Sequence, residues 1–339
     1  MGERRFKLKE ILQIIIVSSC FFFLFYGIQY TDDMNGYMVE YEEKVTEIGS
    51  DIGFVAFENI CRANNVDFYD FYHISIAIQL LLFCWVFKRY GVNMIIAMAC
   101  LLLTSYVQMA NQIRYFIAFP LFLLSVYYFF ISNKKILSII LAIFSLSFHG
   151  GIFALYTFLP IYFIFRKKQI PLKKQIFLYS ISGFIVFVLF QFLFSFIVQV
   201  NTHFSEYTEL ASVLGNLFAI LYSVACLFFI YFTTRNNLKT ITEDCRLNLL
   251  YSLSFFPIIF IVASFAGLQI VIARYVNVFI SVWIIFILLV VKKYNRRFYY
   301  PLAFIVIAFL TRHVLSEVLL GSSDFQKVLL IWASKSLPM

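Results

Sequence analysis

Residues 92–110 read VNMIIAMACLLLTSYVQMA and residues 115–131 read YFIAFPLFLLSVYYFFI, with only Asn111, Gln112, Ile113 and Arg114 between them. A membrane span takes about 20 predominantly apolar residues, and each run is close to that length. Four intervening residues leave no room for a water-exposed loop, so the pair reads as two transmembrane helices joined by a tight turn. The pattern extends outward over the whole chain, with apolar runs at 11–30, 72–87, 92–110, 115–131, 136–148, 151–165, 176–200, 217–234, 249–267, 268–291 and 298–311. Hydrophobic residues make up 62% of the 339 and charged residues 13%, too few polar groups for the surface of a water-soluble globule.

The expected fold is therefore all-α: a polytopic integral membrane protein of about 10–11 transmembrane helices. Residues 1–339 form a single polytopic domain, with two larger extramembrane segments at 31–71 and 201–216. Within the first, Gly53 to Cys61 carries Phe54, Phe57 and Ile60 or Cys61 near helical spacing, which predicts a short helix on the membrane surface. The first run follows the basic stretch Arg4-Arg5-Phe6-Lys7-Leu8-Lys9, lacks a small-residue cleavage site, and reads as a retained anchor. No internal repeat is evident, which weighs against a two-fold transporter.

The net charge of +9 does not indicate nucleic acid, because the basic residues cluster at the ends of runs. With the N-terminus in the cytoplasm, Arg4, Arg5, Lys7 and Lys9, then Lys88 and Arg89, Lys134 and Lys135, Arg166, Lys167, Lys168, Lys173 and Lys174, Arg235, Lys239 and Arg246, and Lys292, Lys293, Arg296 and Arg297 all fall inside. Acidic residues divide the other way, with only Glu3, Glu10, Glu243 and Asp244 inside. The expected location is a membrane that the chain crosses many times, with its N-terminus in the cytoplasm.

Ile136 to Phe165 is one apolar stretch bounded by basic residues at both ends and interrupted by Phe148-His149-Gly150-Gly151. Each arm would reach roughly 20 Å, short of the ~30 Å hydrocarbon core. A single crossing would also place the Arg166 to Lys174 cluster outside. A short helical hairpin with His149 at its tip, at the floor of an outward-open cavity, satisfies both constraints.

Cys20, Cys84, Cys100 and Cys226 fall inside apolar runs, Cys61 and Cys245 lie alone in loops, and no C-x-x-C pair exists, so neither a disulfide framework nor a zinc site is indicated. There is no phosphate-binding G-x-x-x-x-G-K-[ST], no G-x-S-x-G and no H-E-x-x-H. No cofactor or metal is expected.

The informative residues are those that do not belong in lipid. Arg114 must lie at or just below the outer boundary, and Arg274 is roughly 9 Å of helix into the run beginning at Leu268. Both guanidinium groups point to one outward-facing polar pocket, which suits a substrate that is anionic at headgroup level and greasy below it, such as a lipid pyrophosphate. His149 and the carboxylates Asp32, Asp33, Glu47 and Asp51 are placed on the same side. Arg62, His73, His203, Glu206, Glu209, Arg312 and His313 lie on or near that side too, but their spacing singles none of them out.

The order Asp32-Asp33, Tyr37, Glu47-Ile48-Gly49-Ser50-Asp51-Ile52-Gly53-Phe54, Asn65-Val66-Asp67-Phe68-Tyr69, Ile113-Arg114-Tyr115-Phe116-Ile117-Ala118, Ser147-Phe148-His149-Gly150-Gly151 and Arg274-Tyr275 resembles the EpsG-like family of Wzy-type polysaccharide polymerases. Two positions depart from the family pattern: Gly150 stands where a serine or threonine often follows the histidine, and Tyr115 where a glutamine usually follows the arginine. The resemblance implies a metal-independent inverting glycosyltransferase, with a GT-C-like fold. It would transfer a growing glycan from undecaprenyl pyrophosphate to a lipid-linked oligosaccharide repeat at the outer face of the membrane.

On that resemblance, Arg114 and Arg274, with Tyr275 beside it, would bind the pyrophosphate-bearing substrate. His149 would serve as the base, since imidazoles in general exchange protons near neutral pH. Asp32, Asp33, Glu47 or Asp51 could bind sugar hydroxyls or act as that base instead. A chain-length regulator and a flippase are the protein partners it implies. A lipid-linked oligosaccharide flippase, another lipid-linked glycosyltransferase or ligase, and a membrane acyltransferase using His149 are the competing readings.

Overall fold

The computed structural model describes residues 8–26, 28, 31, 33–43, 51–200, 213–264 and 275–293. Among these the chain is helical, with no strand. Five stretches are long and apolar enough to cross a membrane: Phe68–Tyr90, Met94–Asn111, Ile113–Phe130, Leu172–Leu189 and Cys245–Val262. Lys135–Phe148 and Ile220–Phe232 are shorter apolar helices. The protein is thus an all-α, multi-pass membrane protein. By contacts it divides into two compact units, one holding the described residues up to Thr157 and the other those from Phe158 on.

The first unit contains α1 (Leu8–Phe22), α2 (Met34–Glu43), α3 (Ile52–Ala63), α4 (Phe68–Tyr90), α5 (Met94–Asn111), α6 (Ile113–Phe130), α7 (Lys135–Phe148) and the short α8 (Phe153–Tyr156). Their boundaries follow local chemistry. Asp67 caps α4 by accepting the Asp70 N–H at 2.8 Å, and Gly91, at φ 85°, closes it in the left-handed conformation that glycine adopts without strain. Asn93 caps α5 through the N–H groups of Ile95 and Ile96. A kink at Ser105 interrupts α5 (φ −139°, ψ 15°), and the Thr104 hydroxyl beside it donates to the Cys100 and Leu101 carbonyls.

Helix α6 is the centre of this unit. Its span is 83% buried, so it is apolar on every side rather than along one stripe. It packs most extensively on α7 and α4. Hydroxyls fasten these contacts: Ser145 donates to the Ala118 carbonyl at 2.8 Å, Ser138 to the Ser125 carbonyl at 2.9 Å, and Tyr90 to the Leu123 carbonyl at 3.2 Å. At 23 residues α4 spans roughly 35 Å. Near its C-terminal end Lys88 meets Glu10 and Gln13 of α1. At its N-terminal end Phe71 packs against Tyr41 of α2 and Phe54 of α3.

The second unit contains α9 (Phe158–Lys167), α10 (Leu172–Val200), α11 (Val213–Thr234), α12 (Leu238–Glu243), α13 (Cys245–Phe255), α14 (Ile258–Ala263) and α15 (Ile280–Lys293). The run at 249–267 is broken at Pro257, where proline cannot donate into the ladder. Gly183 of α10 lets α14 approach closely, since a Cβ there would lie 2.9 Å from Val262 Cβ and 3.0 Å from the Ile259 Cα. Trp283 Nε1 donates to the Ser254 carbonyl at 3.0 Å, and Tyr179 and Ser252 share a hydrogen bond of 2.7 Å. Lys293, the last residue of α15, pairs at 2.5 Å with Asp244, the N-cap of α13.

Three features differ in detail from the sequence expectation. Helix α1 ends at Phe22, and residues 23–26 continue as turns with hydrogen bonds such as Phe25 N–H to the Phe22 carbonyl. Among the described residues of the segment 31–71, α2 stands ahead of the expected surface helix α3. On α3 the inward residues are Phe54, Glu58 and Cys61, while Ile60 faces outward. The run expected at 298–311 and the segment 201–212 lie outside the described residues.

Glu58 on that inward stripe is 3% exposed, and its Oε1 has no hydrogen-bond partner among the described residues. Burial pushes its carboxyl up from 4.5 to about 7, against the pull of Arg62 one turn on. The folded protein therefore keeps a proton that the unfolded chain has released, so the stability this residue contributes is full below 4.5 and lost as pH rises through about 7. Glu58→Gln should match the wild type in thermal unfolding of the detergent-solubilised protein at pH 4.5 and exceed it at pH 8. Equal melting temperatures at both values would show that Glu58 carries no such cost.

Candidate functional site

The cluster is assembled at helix ends, where backbone polar groups lack intrahelical partners. Helix α7 stops at Phe148, and the Gly150-Gly151 pair that follows is a poor helix former. His149 takes an extended conformation (φ −159°, ψ 108°), and Gly150–Ile152 forms one 3-10 turn. The break leaves the Gly150 N–H outside the α7 ladder, where it donates to Asp51.

Asp51 stands at the N-cap of α3 but does not cap its own helix. Its Oδ1 accepts the Gly150 N–H at 2.7 Å, and its Oδ2 lies 3.1 Å from His149 Nδ1. One carboxylate thus holds the histidine and the backbone that follows it. An acceptor at Nδ1 selects the tautomer that carries its proton there, leaving the Nε2 lone pair for another partner. The Tyr115 ring meets the imidazole edge-on, with centroids 5.1 Å apart.

Arg114 is the second residue of α6, directly after the single-residue turn at Gln112. Its Nη1 is 3.9 Å from Asp51 Oδ2, and its Nη2 donates to Glu40 Oε2 on α2. The guanidinium carbon lies 4.7 Å from the Phe54 ring centre and 5.0 Å from that of Tyr37, within cation–π range. The charge of Asp33 also acts on Arg114. Side-chain exposures of 14% for Asp51, 16% for Arg114 and 21% for His149 place the group between a sealed core and open water. At that depth ion pairs and hydrogen bonds are stronger than at a bare surface.

Two helix contacts fix the geometry. Gly53 brings α3 onto the end of α7, where an added Cβ would overlap Ser147 Oγ and sit 2.8 Å from Ser147 Cβ. Tyr37 and Glu40, three residues apart on α2, present one face to Arg114. Of the residues expected from sequence to form the site, Arg114, Asp51 and His149 come together, with Asp33 close by. Asp32, Glu47 and Arg274 lie outside the described residues. Tyr275 is in the second unit, stacked on Phe260 at 5.0 Å between ring centres.

Glu40 is the member of this cluster that the sequence pattern does not disclose. The only signal available is its spacing from Tyr37 within a segment of weak apolar periodicity. Among the described residues no three His, Cys, Asp or Glu side chains converge in a way that could hold a metal ion.

The EpsG family model matches residues 12–324. The chain belongs to the EpsG family. No curated protein and no solved structure matches it. EpsG proteins are Wzy-like polymerases, so the family makes this chain a glycosyltransferase-like polysaccharide polymerase of exopolysaccharide biosynthesis.

The position of Asp51 rests on the close contact of α3 with α7. Gly53→Ala should force the two apart, at a cost on the order of 1–3 kcal/mol, and draw Asp51 off His149. Lower thermal stability and loss of polymer are the expected readouts. Combining it with Ser147→Gly, which removes Oγ and Cβ and leaves only the Ser147 backbone carbon at 3.0 Å, should restore part of both.

Proposed function

We propose that this EpsG protein transfers a growing glycan from undecaprenyl pyrophosphate to the non-reducing end of a lipid-linked repeat unit, at the outer face of a bacterial cytoplasmic membrane. The observation that carries the reading is the Asp51–His149 pair set beside Arg114. A proton acceptor with a fixed tautomer and a fork-shaped cation are the two groups that a displacement at a glycosyl diphosphate needs.

The acceptor hydroxyl attacks the anomeric carbon of the donor. As the new C–O bond forms, the bond to the diphosphate oxygen breaks, and undecaprenyl pyrophosphate departs as an anion. The hydroxyl proton passes to His149 Nε2, while Asp51 holds Nδ1–H and stabilises the imidazolium. Arg114 and Arg274 neutralise charge growing on the leaving diphosphate, which a permanently charged planar fork does without a metal. Attack opposite the leaving group inverts the anomeric configuration.

Asp32, Asp33 and Glu47 are assigned to sugar hydroxyls, and Tyr275 to the substrate beside Arg274. The N-terminus and the basic loops face the cytoplasm on this reading. A flippase supplies repeat units, and a chain-length regulator is the further partner.

The test is a purified assay with a defined undecaprenyl-linked repeat, read as a ladder of products on a gel. His149→Gln should lower the turnover rate by about 10²–10⁴-fold, the usual worth of a general base. Arg114→Lys, which keeps the charge and loses the fork, should also shorten or abolish the ladder. Correctly inserted variants that build the ladder at the wild-type rate would refute the assignment.

A further inference from the structure

Arg114 has two carboxylates on its guanidinium, and they are held in different ways. Asp51 is 14% exposed and tied through Oδ1 to the Gly150 N–H and through Oδ2 to His149. Glu40 is 35% exposed, and among the described residues the one hydrogen bond of its carboxylate is to Arg114. Asp51 therefore cannot leave Arg114 without dismantling the histidine site. Glu40 can.

The support of Arg114 does not depend on Glu40. Helix α2 ends in Glu40, Tyr41, Glu42 and Glu43 and has no basic residue in its last turn. No cation on α2 competes with Arg114 for Glu40. On the other side of the pair, the Phe54 and Tyr37 rings and Asp51 still bracket the guanidinium when Glu40 swings away. The fork stays aimed while its most exposed partner changes.

We propose that Glu40 is an exchangeable carboxylate that sets the affinity of the site for its donor: the diphosphate reaches Arg114 by displacing Glu40 from the fork. The proposal rests on the reading of Arg114 as a diphosphate ligand. It makes Glu40 a specificity-determining residue whose side chain yields as the donor enters, while α2 keeps Tyr37 against the guanidinium. Carboxylate and phosphate offer the same paired oxygens to a guanidinium, and the diphosphate prevails through its additional charge.

Inorganic pyrophosphate, titrated by calorimetry into the full-length protein in nanodiscs, tests this. Glu40→Gln should bind it on the order of tenfold more tightly than the wild type, the worth of one charge-assisted hydrogen bond, and the KM for the lipid-linked donor should fall in step. Arg114→Lys should weaken pyrophosphate binding. If Glu40→Gln binds like the wild type while Arg114→Lys loses binding, Glu40 is not a competitor, and the donor-site reading stands. If Arg114→Lys leaves pyrophosphate binding unchanged, the donor-site reading falls and this proposal with it. Should Glu40→Gln fail to fold, Glu40→Asp retracts the carboxylate by one methylene and should show the same tightening. Failure of both variants to fold would make the pair a structural clasp and overturn the proposal.

Discussion

An aspartate at the start of a helix ordinarily turns back onto its own backbone. Asp51 does not, and the site follows from that one departure. Its two oxygens cross from α3 to the end of α7, one on the Gly150 N–H and one on His149. The α3 N-terminus gives up a side-chain cap, worth about 1 kcal/mol in general. In exchange a backbone N–H left over by the helix break is satisfied, and the imidazole gains a fixed orientation. The same Oδ2 faces Arg114 at 3.9 Å, so three elements distant in sequence are tied by one carboxylate.

That tie works because the surrounding helices cannot easily drift. Helix α6 is buried on all sides and hydrogen-bonded through hydroxyls of α4 and α7, so Arg114 and Tyr115 at its first turn inherit a rigid support. Helix α7 runs beside it from Lys135 and delivers His149 next to Tyr115. Gly53 then allows α3 to touch the end of α7. Removing any of these contacts changes the distance from Asp51 to His149 without altering either side chain.

Much of this is legible in the sequence because lipid is an unforgiving solvent. An arginine between two apolar runs, and a histidine at a glycine pair inside an apolar stretch, carry free-energy costs that mark them as purposeful. Arg114 and His149 stand out on those grounds, and Asp51 stands beside the predicted surface helix. Glu40 does not, since it lies in an acidic segment outside the apolar runs, where a glutamate needs no explanation. Helix α2 is equally obscure: it buries only Met34 and Tyr41 and has no strong stripe. The break at Pro257 follows from proline chemistry. The end of α1 at Phe22 has no comparable marker, because Phe21 to Phe25 is apolar throughout.

The charge balance around Arg114 accounts for the number of carboxylates near it. Arg114 sits at the N-terminal turn of α6, where the helix dipole disfavours a cation and low solvent exposure disfavours any isolated charge. Glu40 and Asp51 answer both penalties, and Asp33 adds a further negative charge nearby. The result is a fork whose charge is already matched, and a pocket in that condition attracts anions only weakly. On the proposed reading it accepts a phosphate group by exchanging a carboxylate. That requirement selects against singly charged anions, which bring no more than Glu40 already supplies. A glycosyl diphosphate diester carries two charges on adjacent phosphates, so it brings more charge to the fork than the glutamate it replaces.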